Sequence, residues 1–451
     1  MTAKSEKIEM TKEEIHDDIS NAAPVVNQDK LAELKAKLAA KAKDAEKPKA
    51  DRALKLGIIG LGQGGSSVAV EFFKLPNAYP TIVVNTARQD LDLLDIPDTQ
   101  KIFLDTGVSG CAKDQSVGKE VAEVYYDTIA TAVKRQLGDC QAFIVCSSLG
   151  GGTGSGSLPV VIDILNATQK PVLVLALLPM TSDDASIKSN SVNSLEALSD
   201  MLKSGSIANV ICVDNAKIEE MYSDVSYMKF FELANKAIVE PLCEINKLSA
   251  MPSKNQAFDG AEFTRLLLEG RGCVSYSKIT MPFGEDENPL SIATAIEGSL
   301  EANLLSNLDI KNAHLASLVV VASEKTWETI PSTHINYASA QFTAKCEGAI
   351  AVFKGYYVDN TVEDGVINIF SIFSGLSMPH QRLDFLRVET AQMAEVTKVK
   401  EAERTKALDQ ASNQKEKHIS KIDEVKAKIA KSQSGFGKFL ANNNTIDRRK
   451  K

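Results

Sequence analysis

Apolar residues follow two rhythms between Leu54 and Asp214. Five short runs are almost continuously hydrophobic: KLGIIG (Lys55–Gly60), TIVVNT (Thr81–Thr86), AFIVCSS (Ala142–Ser148), PVLVLALL (Pro171–Leu178) and NVICVD (Asn209–Asp214). Between them lie stretches with helical spacing, such as VGKEVAEVYYDTIATAVKRQL and LPVVIDILNATQ. Apolar strands without polar alternation, separated by helices, predict a parallel sheet covered on both faces. A long helix is predicted over about Tyr227–Leu248.

The rhythm then changes. CVSYSKITM, LASLVVVAS, AIAVFKGYYVD and VINIFSIFSGL, with helical segments between them, predict a second, mixed α/β domain. The expected organisation is a charged, solvated arm over 1–53, with one weak stripe at Leu31, Leu34 and Leu38. A first α/β domain follows over 54–226, then the long helix with its following loop and helix over 227–271. The second domain covers 272–380, a charged helix 381–434, and a flexible tail 435–451 that ends in a basic run.

Composition narrows the chemistry. The 451 residues are 44% hydrophobic and 24% charged, with a net charge of −8. That balance excludes a uniformly basic nucleic-acid binder. Seven cysteines without a C-x-x-C pair suggest neither a disulfide framework nor a zinc ribbon, and no metal site is expected from protein ligands. No apolar run approaches the ~18 residues of a membrane span, so a cytoplasmic protein is expected.

Glycine and small polar residues gather where strands end, the place where open parallel sheets bind ligands. GLGQGGSS (Gly60–Ser67) follows the first run, and LDTGVSGCAKDQSVG spans Leu104–Gly118. SSLGGGTGSGS follows AFIVC and has five glycines within Gly150–Gly156. Such turns bring main-chain N–H groups close to a phosphate, and a helix N-terminus adds about half a positive charge. The hydroxyls of Ser66, Ser67, Thr153 and Ser155 are further candidate donors. One glycine-rich turn alone is as well explained as a tight turn; two on one sheet edge point to a polyphosphate. Gly60-x-Gly62-x-x-Gly65 also fits a dinucleotide fingerprint. However, the second strand ends in Asn85-Thr86 where a ribose-holding acid is wanted, which disfavours an NAD-dependent oxidoreductase. A P-loop is absent.

GGGTGSG resembles the signature of the tubulin/FtsZ superfamily, and the other segments resemble that family's loops in order over about Leu54–Leu376. The fold implied is a Rossmann-like GTPase domain, a long central helix and a second α/β domain. The resemblance implies a site for GTP or GDP, with Mg²⁺. Gly62, Gln63, Gly64, Gly65 and Ser66 would form the first loop, Asn85 the second and Gly107 the third. Gly150, Gly151, Gly152, Thr153, Gly154, Ser155 and Gly156 would form the phosphate signature. Asp183 falls at the ribose-facing position, while Asn215, Phe231 and Asn235 fall at guanine-facing ones. Asn offers guanine both a donor and an acceptor, and Phe231 and Asn235 share a helix face, four residues apart. Core packing for Phe231 and a helix cap or solvated loop for Asp183 are the alternative readings.

The resemblance also implies hydrolysis across a contact between subunits of a head-to-tail filament. NQAFDGAEFTRLLL supplies Asp259 and Glu262 as the residues that orient the attacking water. Asp259-x-x-Glu262 is equally a capping-box pattern, and Ala257 replaces an asparagine of the FtsZ pattern. A filament-forming or scaffolding nucleotide binder with little hydrolysis is therefore the alternative. The charged C-terminal helix resembles the plasmid and phage branch (TubZ- or PhuZ-like), whereas the last strands look FtsZ-like. Expected roles are DNA or phage positioning, segregation, or cell division, in a bacterial or phage-infected cytoplasm. GFGKFL and the terminal basic residues could engage an adaptor or a DNA-bound partner, or only keep the end soluble.

Overall fold

The computed structural model describes residues 51–446 apart from 285–287, 302–304 and 306–307. Residues 1–50 of the arm expected over 1–53, and the basic end Arg448–Lys451, lie outside the described residues.

The first half alternates strand and helix as the apolar runs predict. Strands β1 (Leu56–Leu61), β2 (Thr81–Asn85) and β3 (Lys101–Phe103) are joined by helices α1 (Gly62–Lys74) and α2 (Arg88–Asp92). Helices α3 (Gln115–Val124) and α4 (Tyr126–Leu137) lead to β4 (Ala142–Ser148), α5 (Gly152–Asn166) and β5 (Val172–Leu178). Then come α6 (Ala185–Ser204), β6 (Asn209–Asp214) and α7 (Asn215–Met221). These six strands are parallel, in the order β3-β2-β1-β4-β5-β6. The order reverses between β1 and β4, which opens a crevice at the carboxyl ends of those two strands.

Helix α8 (Tyr227–Leu248) crosses one face and α9 (Gly260–Leu268) follows. The second half contains β7 (Cys273–Pro282), α10 (Leu290–Glu301), β8 (Leu315–Ala322), α11 (Glu324–Thr329) and α12 (Ser332–Lys345). Strands β9 (Ala351–Val358) and β10 (Val366–Leu376) and helix α13 (His380–Ile446) complete it. Its strands do not form a separate sheet. They extend the first one as β6-β7-β10-β8-β9, and the join between β6 and β7 rests on one residue pair, Val210 with Cys273. Two apolar layers, one on each face, run through both halves.

Two boundaries differ from the sequence expectation. The packed body already includes Arg52 and Ala53, ahead of the expected start at Leu54. Arg52 stacks on Tyr79 at 4.1 Å and donates to the Asn77 carbonyl, while the Ala53 amide donates to Asn246 at the end of α8. The C-terminal helix does not stop at residue 434 but continues through GFGKFL to Ile446. Two glycines cost about 1 kcal/mol each in a helix, but each residue added to an existing helix gains a hydrogen bond without a new nucleus.

Long-range main-chain clamps set the geometry between the halves. Fully buried Tyr357 of β9 holds Phe258 from both sides: its hydroxyl accepts from the Phe258 N–H at 2.9 Å and donates to the Phe258 carbonyl at 2.7 Å. Burial pushes the Tyr357 phenol up to about 12. Tyr357→Phe would leave two enclosed main-chain groups of Phe258 unpaired and should cost about 1–3 kcal/mol, read as a lower urea-unfolding midpoint.

Candidate functional site

Helices α1 and α5 begin side by side at the β1/β4 crevice, and each starts on glycine. Gly62 has φ +65°, a backbone that L side chains rarely adopt, and a Cβ there would sit 3.0 Å from the Gly154 nitrogen. Gly65 is closer still: its Cβ would fall 2.1 Å from the Cys146 carbonyl oxygen. A Cβ on Gly156 would meet the Gln115 carbonyl at 2.4 Å, so α3 lies directly on α5. These glycines exist for backbone-to-backbone packing. Gly151 and Gly107 differ, because nothing lies within 4 Å of a Cβ at either. Gly151 caps α5 without any side-chain hydrogen bond, so the first amides of α5 face the opening.

The hydroxyls of the glycine-rich run turn inward. Thr153 Oγ1 lies 2.6 Å from Thr86 Oγ1, and Ser155 donates to the Gly151 carbonyl. Ser66 is fully buried and its hydroxyl has no partner. Asn85 is buried as well: its Oδ1 accepts from the Thr86 and Ala87 amides, while Nδ2 donates to Asp90. These side chains shape the loops, leaving main-chain amides, including those of Gln63 and Gly64 at the start of α1, as the candidate phosphate donors.

The loop after β5 carries Asp183, whose carboxylate accepts from the Met180 amide at 2.8 Å and so closes its own turn. The neighbouring Asp184 caps α6 through the Ile187 amide and pairs with Lys113, which holds its carboxyl below the usual range. Lys113 and Ala112 both have positive φ, +66° and +47°, in the loop that follows Gly107. Asn190 ties this loop to the glycine run by donating to the Lys113 and Gly150 carbonyls. Sequence reasoning did not single out Asn190 or Lys113. Asn190 was hidden as one polar residue among many on α6.

Asn215 opens α7 directly after Asp214, whose carboxylate caps that helix. Phe231 and Asn235 lie one turn apart on α8. Phe231 is 45% exposed, its ring edge-on to Phe230 at 5.0 Å, and Asn235 is half-buried. Core packing is therefore not what Phe231 does. All three belong to the rim that carries the glycine turns, because α7 and the start of α8 follow the carboxyl end of β6.

Asp259 and Glu262 lie at the opposite edge. The end of α8 and the start of α9 pack on the residues before β1: the Leu54 amide donates to Asn246, and a Cβ on Gly260 would be 3.1 Å from that of Ala53. With 22 residues, α8 separates the two edges by about 33 Å. The two acids form a complete capping box. Asp259 Oδ1 accepts from the Ala261 and Glu262 amides at 2.9 Å, and Glu262 Oε2 accepts from the Asp259 amide at 3.2 Å. Burial, with Asp259 alongside, raises the Glu262 carboxyl. Among the described residues there is no group of three His, Cys, Asp or Glu suited to a metal ion, and no helix is long and apolar enough to cross a membrane.

The glycines divide into two kinds, and substitutions should separate them. Gly65→Ala forces α1 off β4 and should cost at least about 1–3 kcal/mol in urea unfolding. Gly151→Ala should stay within about 0.5 kcal/mol of the parent in the same experiment. In an equilibrium titration it should nonetheless weaken nucleotide binding roughly tenfold, about 1.4 kcal/mol.

Residues 55–223 match the Tubulin/FtsZ family, GTPase domain. The tubulin-like protein TubZ of Bacillus cereus is 26% identical over 386 residues, covering 80% of this chain and 86% of TubZ. The tubulin-like protein CetZ of Pyrococcus abyssi is 25% identical over 353 residues, covering 76% and 92%. A helical model of a two-stranded TubZ-Bt filament superimposes with a TM-score of 0.71 at 23% identity, covering 80% of this chain and 93% of that one. The fold, the order of the glycine turns and the matched segment agree: the chain is similar to the tubulin/FtsZ superfamily, and its residues 55–223 match that family's GTPase domain.

Proposed function

We propose that the protein is a cytoplasmic GTPase that assembles head-to-tail into filaments and completes its active site between successive subunits. One observation carries this reading: Asp259 and Glu262 stand at the edge of the sheet opposite the glycine turns, with the roughly 33 Å length of α8 running between the two edges. Within one chain they cannot reach a phosphate held at α1 and α5. In a head-to-tail stack, the lower edge of one subunit meets the nucleotide rim of the next. GTP would lie with its phosphates on the amides at Gly62–Gly65 and Gly150–Gly154, its ribose toward Asp183, and its base between Phe231, Asn235 and Asn215. Mg²⁺ would travel with the triphosphate, its shell filled mainly by phosphate and water oxygens, as is usual for this ion. The carboxylates would orient the attacking water and accept its proton, while main-chain amides hold the phosphate charge.

The capping box keeps a second reading in view, a nucleotide-dependent filament with little hydrolysis, because both acids already serve α9. Two substitutions divide cap from chemistry. Asn is as good an N-cap as Asp, and Gln serves the capping box as Glu does, so Asp259→Asn and Glu262→Gln should keep the fold. In phosphate-release assays with GTP, each should slow turnover at least about tenfold while leaving light-scattering assembly intact. Turnover per molecule in the parent should rise with protein concentration; a flat rate would mean a site complete in one chain. Unchanged turnover in both variants would favour the second reading.

TubZ, one of the similar proteins, has a solved structure described as that of a plasmid-segregation protein. By that likeness the filament serves DNA segregation or positioning, with residues 435–451 engaging an adaptor or a DNA-bound partner. Deleting 435–451 should spare GTP turnover and assembly and abolish co-sedimentation of the partner with filaments. Loss of assembly would place the segment in the filament contact instead.

A further inference from the structure

The first turns of α13 are held to the body by charges that do more than dock a helix. Leu383 and Leu386 bury against the core, and Arg387 pairs with Glu196 of α6; these contacts already dock the helix on the body. Two further pairs are enclosed. Arg382 lies 3.2 Å from Asp214, both side chains largely buried, and Lys188 of α6, only 1% exposed, lies 3.2 Å from Glu389. Removing such groups from water is costly, so they are poor devices for attachment alone.

The remaining bonds of these cations run to the loop after β5. Arg382 Nη2 donates to the Pro179 carbonyl at 3.0 Å, and Lys188 Nζ donates to the Thr181 carbonyl at 2.8 Å. Asp214, the partner of Arg382, is also the cap of α7, whose first residue is Asn215. Glu219 of α7 accepts from the Thr181 amide, tying α7 to the same loop. The other carboxylate oxygen of Glu389 is buried without a partner. The helix therefore grips the first half of the loop that leads to Asp183, directly at Pro179 and through Lys188 at Thr181, together with the cap of the helix bearing Asn215.

We infer that Arg382, Lys188 and Glu389 are positioning residues that brace the ribose- and base-facing loops, so that nucleotide release depends on how α13 is docked. The inference rests on the reading that this rim takes a guanine nucleotide. It concerns a helix that runs 67 residues and is exposed at every residue from Ala394 to Gln410. Coupling between two sites is reciprocal, so the nucleotide must tighten the docking of α13 as much as α13 tightens the hold on nucleotide.

Release of a fluorescent GDP analogue from the full-length protein, chased with excess GDP, tests this. Arg382→Ala and Glu389→Gln should release at least fivefold faster, Arg382→Lys should recover part of the loss, and Lys400→Ala, on the exposed stretch, should match the parent. Variants that unfold at lower temperature yet release at the parent rate would overturn the inference, since those residues would then only hold the helix down. Where a variant does not fold, the parent decides: amide exchange across 380–390 should slow when GDP binds, and unchanged exchange would overturn the proposal. A parent protein that takes up no guanine nucleotide at all would overturn the functional reading and this inference with it.

Discussion

Everything at the nucleotide rim depends on two helices starting against one another with no side chain between them. Strands β1 and β4 are hydrogen-bonded neighbours, yet the chain leaves them for opposite faces of the sheet. Both helix starts must therefore pass through the same few ångströms above the strand ends. A Cβ at Gly65 would collide with the Cys146 carbonyl, and one at Gly62 would crowd Gly154. The crowding that forbids side chains also leaves two sets of main-chain amides facing one opening. The proposed phosphate site is thus a consequence of how the sheet reverses its order, and the glycines are what let the two helix starts pack there.

The second constraint is distance. Helix α8 lies across the sheet and fixes the separation of its two edges, with Phe231 and Asn235 near one end and Asn246 near the other. Beyond it, the loop that carries Asp259 is held by the second half of the molecule rather than by the first. Tyr357 grips Phe258, the Tyr356 amide donates to the Gln256 carbonyl, and Ser253 donates to the Tyr356 carbonyl. The aim of the acids is therefore set by β9. Among the described residues, the β9 half meets the nucleotide half along the sheet through the Val210–Cys273 pair and an isolated bridge between Val213 and Leu305, with further packing on α8 and the ion pairs of α13. Small changes in how the halves sit would move the acids relative to the rim of the same chain.

Much of this was legible in the sequence, and what was not has physical reasons. Continuous apolar runs gave away the parallel strands because both faces are covered, and glycine placement gave away the rim. Side-chain roles within the rim were less readable. Thr153 and Ser155 are as polar as any phosphate donor, but their hydroxyls are taken by Thr86 and Gly151; Asn85 is consumed by Thr86, Ala87 and Asp90. A spacing rule cannot tell a hydroxyl that faces a ligand from one that faces the next loop. Tyr357 was unreadable for another reason: it lies 99 residues from the main-chain groups it holds. Lys188 was unreadable because an isolated lysine on a helix is normally a solvated one, and only the arrival of Glu389 from 201 residues away encloses it. The single sheet was missed because the change of rhythm after Gly272 looks like a domain boundary, although β7 merely switches the sheet from parallel to antiparallel pairing.

The capping box at α9 bears on the proposed chemistry more than it opposes it. Each acid gives the cap one oxygen: Asp259 uses Oδ1 and Glu262 uses Oε2. The second oxygen of each carboxylate lies outside the cap, on a side chain whose rotamer the cap already fixes. An acid–base group positioned before its substrate arrives loses less entropy on engaging it, which is where much of the advantage of an oriented site originates. The raised carboxyl of Glu262 adds to this, since a more basic carboxylate accepts a proton from water more readily. In the proposed scheme that preparation comes into use only when subunits stack. Stacked against the open amides of a neighbouring rim, the same two residues would bring pre-oriented proton acceptors to a phosphate held by main-chain amides.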